Sequence, residues 1–417
     1  MASSKDKVLT YENGLLVLLG FTFGIVFFER NAIGPLAAYI IKDLSLNQTE
    51  VGLLGSTLSF AWALSAFVIG AWSDRSGVRK PFLLVSVVVF SLCSALSGLA
   101  GTFMLLLLAR FVMGFAEGPF LPICFSIMNV ESSPKRRGVN AGLMQNFFAS
   151  LLGTTVAPLV LPWLADQYGW RTAFYLSAIP GLLCAFFIWQ FVREPKPAAE
   201  VSVAVAAPKP GLFDMLKQRN ILVCSGISVF MISWYLVGII FLPVFFNVVK
   251  GMAPDVAGQV VAPMGIATMI CGFIVPAISD RIGRKPAMII FTFIGIVTPI
   301  AALYFAGPQW VLSLLLLIGW TASGSFAVFM GVIPSETVPK ALAASSMGLV
   351  VGAGEIVGGV LSPTISGWIA DQTSLVAHMV VMIVCALCGG LLSLFLRETA
   401  PARARPGVAA PGMAAAR

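Results

Sequence analysis

Long apolar segments separated by short polar links run through almost the whole of this 417-residue sequence. A helix needs about 20 mainly apolar residues to cross the hydrocarbon core of a bilayer. Segments that meet this requirement lie at about 14–42, 49–72, 81–101, 103–130, 138–165, 170–192, 220–249, 255–278, 287–306, 309–333, 341–369 and 375–396. They are too long for membrane β-strands and show no sustained apolar/polar alternation. We therefore predict an all-α integral membrane protein with twelve transmembrane helices.

Basic residues are unevenly distributed between the links. The net charge of +8 could by itself indicate nucleic-acid binding. If the N-terminus lies inside, however, the links on the outer side hold only Lys42, Arg171 and Lys250. This asymmetry follows the positive-inside rule, so we expect a multi-pass protein of the inner (plasma) membrane with both termini in the cytoplasm. The bilayer is then the expected large partner, and nucleic acid is not.

The two halves of the chain repeat each other at an offset of about 205 residues. Asp74-Arg75-Ser76-Gly77 returns as Asp280-Arg281-Ile282-Gly283, and Trp163-Leu164-Ala165-Asp166-Gln167 returns as Trp368-Ile369-Ala370-Asp371-Gln372. The repeat predicts two pseudo-symmetric six-helix bundles. We expect them at residues 1–192 and 220–397, with a cytoplasmic linker at 193–219 and a disordered cytoplasmic tail at 398–417.

The link between spans 2 and 3 carries a recognisable motif, Gly70-x-x-x-Asp74-Arg75-x-Gly77-x-Arg79-Lys80, and a partial copy lies between spans 8 and 9, from Pro276 to Lys285. With the six-plus-six repeat, these residues make the sequence resemble the major facilitator superfamily over essentially its whole length. The resemblance implies alternating access, in which two bundles move about a central site near the membrane midplane. It also implies a monomer.

Ionisable residues lie inside three of the predicted spans: Glu29 and Arg30 in span 1, Arg110 and Glu117 in span 4, and Glu355 in span 11. Such groups cost several kcal/mol within a bilayer unless they are paired or hydrated, so each is a functional candidate. A guanidinium group binds carboxylates, and a buried carboxyl group can take up and release a proton near neutral pH. Glu29 and Arg30 should point about 100° apart. The alternative is that these residues form ion pairs that only fix helix contacts.

Two motifs narrow the functional hypothesis. Glu29-Arg30-Asn31 in span 1 and Arg110-Phe111-x-x-Gly114-x-x-Glu117-Gly118 in span 4 resemble the anion:cation symporter family, which includes bacterial sugar-acid permeases and sialin-type transporters. The resemblance implies that Arg30 contacts the substrate carboxylate and that Glu117 and Glu29 carry protons, with Arg110 tuning Glu117. We therefore expect a proton-coupled symporter that imports a sugar acid or another organic anion.

Other polar residues are further candidates for the same site. Glu355 lies among glycines, where it can be a further proton-coupling carboxyl group or a contact to a neighbouring helix. Additional substrate contacts are expected from polar side chains in the spans near the central axis. The candidates are Gln145, Asn146, Tyr235 and Ser325.

The repeated Asp-Arg motifs also predict a cytoplasmic gate. Asp74 and Arg75 can pair with Glu131 at the end of span 4. By the same offset, Asp280 and Arg281 can pair with Glu336 at the end of span 10. Breaking these pairs should favour an inward-open state.

Several function classes lack their signatures. The seven cysteines lie within apolar spans, with no histidine or carboxylate at metal-ligand spacing, and the sequence has no P-loop. We expect no cofactor, no metal and no enzymatic activity. Two alternatives to symport stay open: an anion exchanger or facilitator without proton coupling, and a carrier of lysophospholipids or other amphiphiles.

Overall fold

Twelve helices long and apolar enough to cross a membrane form the described part of the chain. The structure is a computed structural model that describes residues 4–133, 136–194, 215, 217–339 and 342–400. Within these residues the chain is helical and contains no strand, which confirms the predicted all-helical fold. The spans, numbered 1 to 12, are Tyr11–Leu44, Gln48–Gly70, Lys80–Gly98, Phe103–Glu131, Arg137–Tyr168, Trp170–Phe191, Arg219–Val248, Pro254–Ile282, Arg284–Tyr304, Gln309–Thr337, Ser345–Gln372 and Val376–Ser393.

Several spans depart from a continuous α-helix. Span 1 is interrupted after Arg30 and resumes at Ile33–Leu44. Span 5 contains the π-helical segments Leu143–Phe148 and Ser150–Val156, and span 11 contains another at Gly354–Gly359. Such irregular turns are often found at functional sites of membrane helices, because they change which side chains face the interior.

Spans 1–6 form one bundle and spans 7–12 the other. The bundles meet where span 2 packs on span 11, span 5 on span 8, and span 1 on span 7. Glycine makes two of these contacts possible. A Cβ at Gly52 would lie 2.7 Å from the carbonyl carbon of Pro363, and one at Gly258 would lie 3.0 Å from that of Pro158. The helix backbones therefore approach more closely than larger side chains would allow.

The two ends of the molecule differ in how the bundles touch. We call the end where span 1 begins and span 6 ends the linker face, and the other end the opposite face. On the opposite face, Asp371 of span 11 accepts hydrogen bonds from Gln48 and Thr49 at the start of span 2. Nearer the middle, Thr364 Oγ1 donates to Ser56 Oγ over 2.8 Å. These bonds join the bundles away from the linker face.

At the linker face, a glutamate from each bundle caps a neighbouring helix. Glu194 accepts hydrogen bonds from the backbone amides of Arg79 (2.5 Å) and Lys80 (2.9 Å). Glu398 repeats the arrangement at the start of span 9, where it accepts from the amides of Arg284 and Lys285. The first turn of a helix has free N–H groups, so each carboxylate stabilises the start of the helix that it caps.

The predicted linker and tail are described only in small part. Of the linker 193–219, residues 195–214 and 216 lie outside the described residues, and of the tail 398–417, residues 401–417 do.

Candidate functional site

Arg30 lies where spans 1, 2 and 11 meet, near the middle of the molecule. Its Nη2 atom lies 3.3 Å from Ser59 Oγ of span 2 and 3.8 Å from Glu355 Oε2 of span 11. The guanidinium carbon lies 5.1 Å from the centre of the Trp62 ring, within reach of a cation–π contact. Both polar contacts use Nη2, so Nη1 and Nε can donate to another oxygen acceptor.

A small cavity and a group of aromatic side chains lie near Arg30. A cavity of about 20 Å³ lies between Arg30 and Arg110, with room for one water molecule. Tyr235 of span 7 lies close enough to interact electrostatically with both Arg30 and Glu355. Its ring packs on Trp320 and Phe326, at centroid distances of 5.4 and 5.6 Å. Tyr235 therefore lies within electrostatic reach of Arg30, and it belongs to the second bundle.

Glu29 points away from Arg30 into the first bundle, in keeping with the expected 100° between the two side chains. It is fully buried, and its Oε2 accepts a 2.5 Å hydrogen bond from Ser94 Oγ of span 3. Ser94 Oγ lies 3.1 Å from Ser177 Oγ of span 6. Arg110 donates from Nη1 to the backbone oxygen of Glu29 over 2.9 Å. Glu29 and Arg110 thus meet inside one bundle, linked through the Glu29 backbone and not by a side-chain ion pair.

Glu117 completes a buried charge cluster with Glu29 and Arg110. It interacts electrostatically with Arg30, Arg110 and Glu29, although both of its carboxylate oxygens are buried without a hydrogen-bond partner. Glu29 Oε1 and two side-chain nitrogens of Arg110 are also buried without a hydrogen-bond partner. Unpaired buried polar atoms cost about 1–3 kcal/mol each, and more when charged. Such a cost favours either bound water or a proton on one of the carboxyl groups.

The other predicted substrate contacts, Gln145, Asn146 and Ser325, have different surroundings. Gln145 is exposed, and Asn146 packs against Gly272 of span 8. Ser325 is fully buried and donates to the backbone oxygen of Ala322, so its hydroxyl faces its own helix. Among the described residues, the hydrogen bond of the Ser325 side chain stays within span 10.

The predicted gate pairs differ from those found at the linker face. Glu336 pairs with Arg284 at 2.8 Å, and Asp280 pairs with the same guanidinium group at 2.5 Å. Arg281 is exposed instead, so the predicted pairing of Arg281 with Glu336 is wrong. The reason is that Arg281, one residue before the end of span 8, lies on the protein surface, whereas Arg284 begins span 9 and is buried beside Glu336 of span 10.

In the first bundle the corresponding gate is only partly described. Arg75 is exposed and Glu131 is half-buried at the end of span 4. The side chain of Asp74 lies outside the described part of the chain. Arg79, the repeat equivalent of Arg284, donates to Ser126 and Ser73.

Three serines near the charges were missed by the sequence analysis: Ser59, Ser94 and Ser177. Serine is common in membrane helices, and nothing in the sequence distinguishes these three from the others. Among the residues that the structure describes, no cluster of three or more His, Cys, Asp or Glu side chains could hold a metal ion.

Comparison with known proteins gives consistent results. A family model described as Major Facilitator Superfamily matches residues 19–356. The chain is 29% identical to a probable 4-methylmuconolactone transporter of Cupriavidus pinatubonensis, covering 80% of each chain. It is 27% identical to the hexuronate transporter of Bacillus subtilis, covering 89% of each.

A solved structure shares the fold. The bacterial homologue of the human lysosomal transporter Spinster, crystallised in an inward-facing and unoccupied conformation, superposes with a TM-score of 0.77 at 20% identity. The match covers 92% of this chain and 97% of the other. The two proteins therefore share one fold.

Proposed function

Because the chain belongs to the major facilitator superfamily, and is thus a multi-pass membrane transporter and not an enzyme, we propose that it imports an organic anion together with protons. The observation that carries this proposal is the position of Arg30 between the two bundles, with donors free for a carboxylate. Relatives named for the transport of 4-methylmuconolactone, hexuronate and cis,cis-muconate favour a sugar acid or another carboxylate as the cargo.

Arg30 is the proposed binding group for the substrate carboxylate. A guanidinium group forms paired hydrogen bonds of about 2.7–2.9 Å with a carboxylate. Tyr235, the exposed Gln145 and Asn146 are proposed to bind the rest of the substrate. Ser325 is not included, because its hydroxyl is bonded within its own helix.

The count of buried charges supports proton coupling. Five ionisable groups lie in the middle of the molecule: Glu29, Arg30, Arg110, Glu117 and Glu355. Three carboxylates against two guanidinium groups leave one excess negative charge when all are ionised. A bound monoanion would raise that excess to two, which is costly in a medium of low dielectric constant. Uptake of protons by Glu117 and Glu29 offsets the added charge, so anion and protons bind together.

The contacts between the bundles support alternating access. In the proposed cycle the linker face is cytoplasmic, and the bundles are held together at the opposite, outer face by Asp371. The Arg284–Glu336 pair belongs to the cytoplasmic side of the second bundle. We propose that the protein works as a monomer in the inner membrane, with both termini in the cytoplasm.

Glu117→Gln tests the coupling. In liposomes loaded with substrate, this variant should exchange labelled substrate but should not accumulate it when an inward proton gradient is imposed, because it carries no proton at this position. Asp255→Asn is the control, since it removes a carboxylate at the start of span 8, away from the charge cluster. Proton-driven accumulation by Glu117→Gln at the wild-type level would refute its assignment as a proton carrier. Exchange by every variant without any accumulation by the wild type would indicate an exchanger.

A further inference from the structure

Glu355 contacts the first bundle although it belongs to the second. It lies in the π-helical segment Gly354–Gly359 of span 11, and its side chain is 20% exposed. Its Oε2 atom lies 3.8 Å from Nη2 of Arg30 and has no hydrogen-bond partner. The charged neighbour of this carboxylate is Arg30, and Tyr235 also lies within electrostatic reach.

The glycines on either side of Glu355 explain its direction. Gly354 packs against Ser228 of span 7, and Gly358 packs against Val229 and Ser233 of the same span. The glycine-bearing face of span 11 is therefore turned toward span 7. Glu355 directly follows Gly354, so its side chain leaves the helix about a quarter of a turn away, where it meets Arg30.

The contact between Glu355 and Arg30 is loose. At 3.8 Å the two atoms are beyond hydrogen-bond distance, so the pair compensates charge without a directed bond. A free carboxylate placed against the same guanidinium group can form two hydrogen bonds of about 2.8 Å. A substrate can therefore bind Arg30 more strongly than Glu355 does in this geometry.

We propose that Glu355 is an internal counterion that occupies Arg30 in the empty transporter and is displaced by the carboxylate of the substrate. This inference rests on the proposed function and specifies which group balances the charge of Arg30 when no substrate is bound. Substrate binding then breaks an ion pair between the two bundles and releases Glu355. The released carboxylate has then lost its counterion, which favours uptake of a proton.

Binding of defined carboxylates to the purified full-length protein tests the displacement. The probes are cis,cis-muconate, D-glucuronate, N-acetylneuraminate and nicotinate, each titrated by calorimetry. Any acid that binds the wild type should fail to bind Arg30→Ala. The same acid should bind Glu355→Gln about tenfold more tightly, because no competing charge has to be displaced.

Two further variants separate competition from a general effect on Arg30. Ser59→Ala removes a neutral partner of the same Nη2 atom and should not tighten binding. Asp255→Asn removes a carboxylate of the second bundle away from Arg30 and should leave the dissociation constant unchanged. Equal tightening in Ser59→Ala and Glu355→Gln would overturn the inference, since loss of charge would not be the cause.

A measurement without ligand keeps the inference testable if an acid binds poorly. The melting temperatures of Arg30→Gln, Glu355→Gln and the double variant form a double-mutant cycle. The melting temperature of the double variant should fall by less than the sum of the two single decreases, and additive decreases would overturn the ion pair.

An acid that needs Arg30 but binds Glu355→Gln no more tightly than the wild type overturns the counterion role and leaves the proposed function intact. Binding that does not depend on Arg30 counts against both the counterion role and the proposed function. The same holds if no probe binds the wild type or Glu355→Gln.

Discussion

Replacement of Asp371 should weaken the contact between the two bundles on the opposite face. Its carboxylate, at the end of span 11, accepts hydrogen bonds from the amides of Gln48 and Thr49, both at 2.8 Å, and from Thr49 Oγ1 at 2.5 Å. These donors belong to the first turn of span 2, in the other bundle. Asp371→Ala removes all three bonds across the interface.

The size of the effect follows from the capping geometry. A side chain that caps a helix contributes about 1 kcal/mol, and a negative charge at an exposed helix N-terminus about 0.3–1 kcal/mol. Asp371 is exposed, so solvent screens its charge, and the two contributions together amount to about 1–2 kcal/mol. This free energy corresponds to a shift of about 5–30-fold in the population with a closed opposite face.

Distance measurements between the bundles can detect such a shift. Spin labels at Lys42→Cys and Gln309→Cys would report from exposed positions on the opposite face of each bundle. In Asp371→Ala the distance distribution should gain a longer component, because the bundles separate more often on this face. Labelling of the native cysteines, most of which are buried, is checked in the protein without the two introduced cysteines.

The sequence repeat provides a matched control. Asp166 corresponds to Asp371, but it accepts a 2.5 Å hydrogen bond from Tyr39 within its own bundle. Asp166→Ala should therefore leave the distances between the bundles unchanged. Identical distributions in Asp371→Ala and the wild type would refute the role of Asp371, and an equal change in Asp166→Ala would attribute the effect to general destabilisation.

Three further predictions concern stability and coupling. Glu398→Ala should lower the free energy of unfolding by about 1 kcal/mol in denaturant titrations, because the first turn of span 9 loses its cap; unchanged stability would contradict this role. Arg284→Ala should lower the free energy of unfolding by about 2 kcal/mol and Arg281→Ala by less than about 0.5 kcal/mol, because only Arg284 is buried against acidic partners. Equal losses in the two variants would contradict the pairing. Ser94→Ala should leave Glu29 without its hydrogen bond and change the pH dependence of uptake, whereas an unaltered pH profile at reduced stability would assign Ser94 a structural role only.

The helices and the repeat could be predicted from the sequence because both are properties of long segments. Apolar length alone identified the twelve spans, and span 4 was predicted at 103–130 and found at Phe103–Glu131. The charges inside the spans were equally visible, because ionisable residues are rare in apolar runs. Their separation onto two sides of span 1 followed from helix geometry, with Arg30 between the bundles and Glu29 inside one of them.

The partners of these charges could not be predicted, because they depend on local helix rotation. Span 10 contains the 3₁₀ segment Thr321–Ser325 and the π-helical segment Val328–Val332, which change the angle between successive side chains. The bond of the Ser325 hydroxyl within its own helix could therefore not be predicted from regular α-helical geometry. The choice between Arg281 and Arg284 has the same origin, because both are basic residues of one short motif and only the end of span 8 decides which is buried.

The central claim, proton-coupled uptake of an organic anion, is tested most directly by the external pH of weakly buffered, de-energised cells that express the protein. Sugar acids, aromatic acids and short monocarboxylates are added in turn, with Arg30→Ala as the control. We predict that one class of acid makes the medium more alkaline and that this signal is lost in Arg30→Ala. Uptake of a labelled acid without alkalinisation, or an equal signal in Arg30→Ala, would contradict the claim.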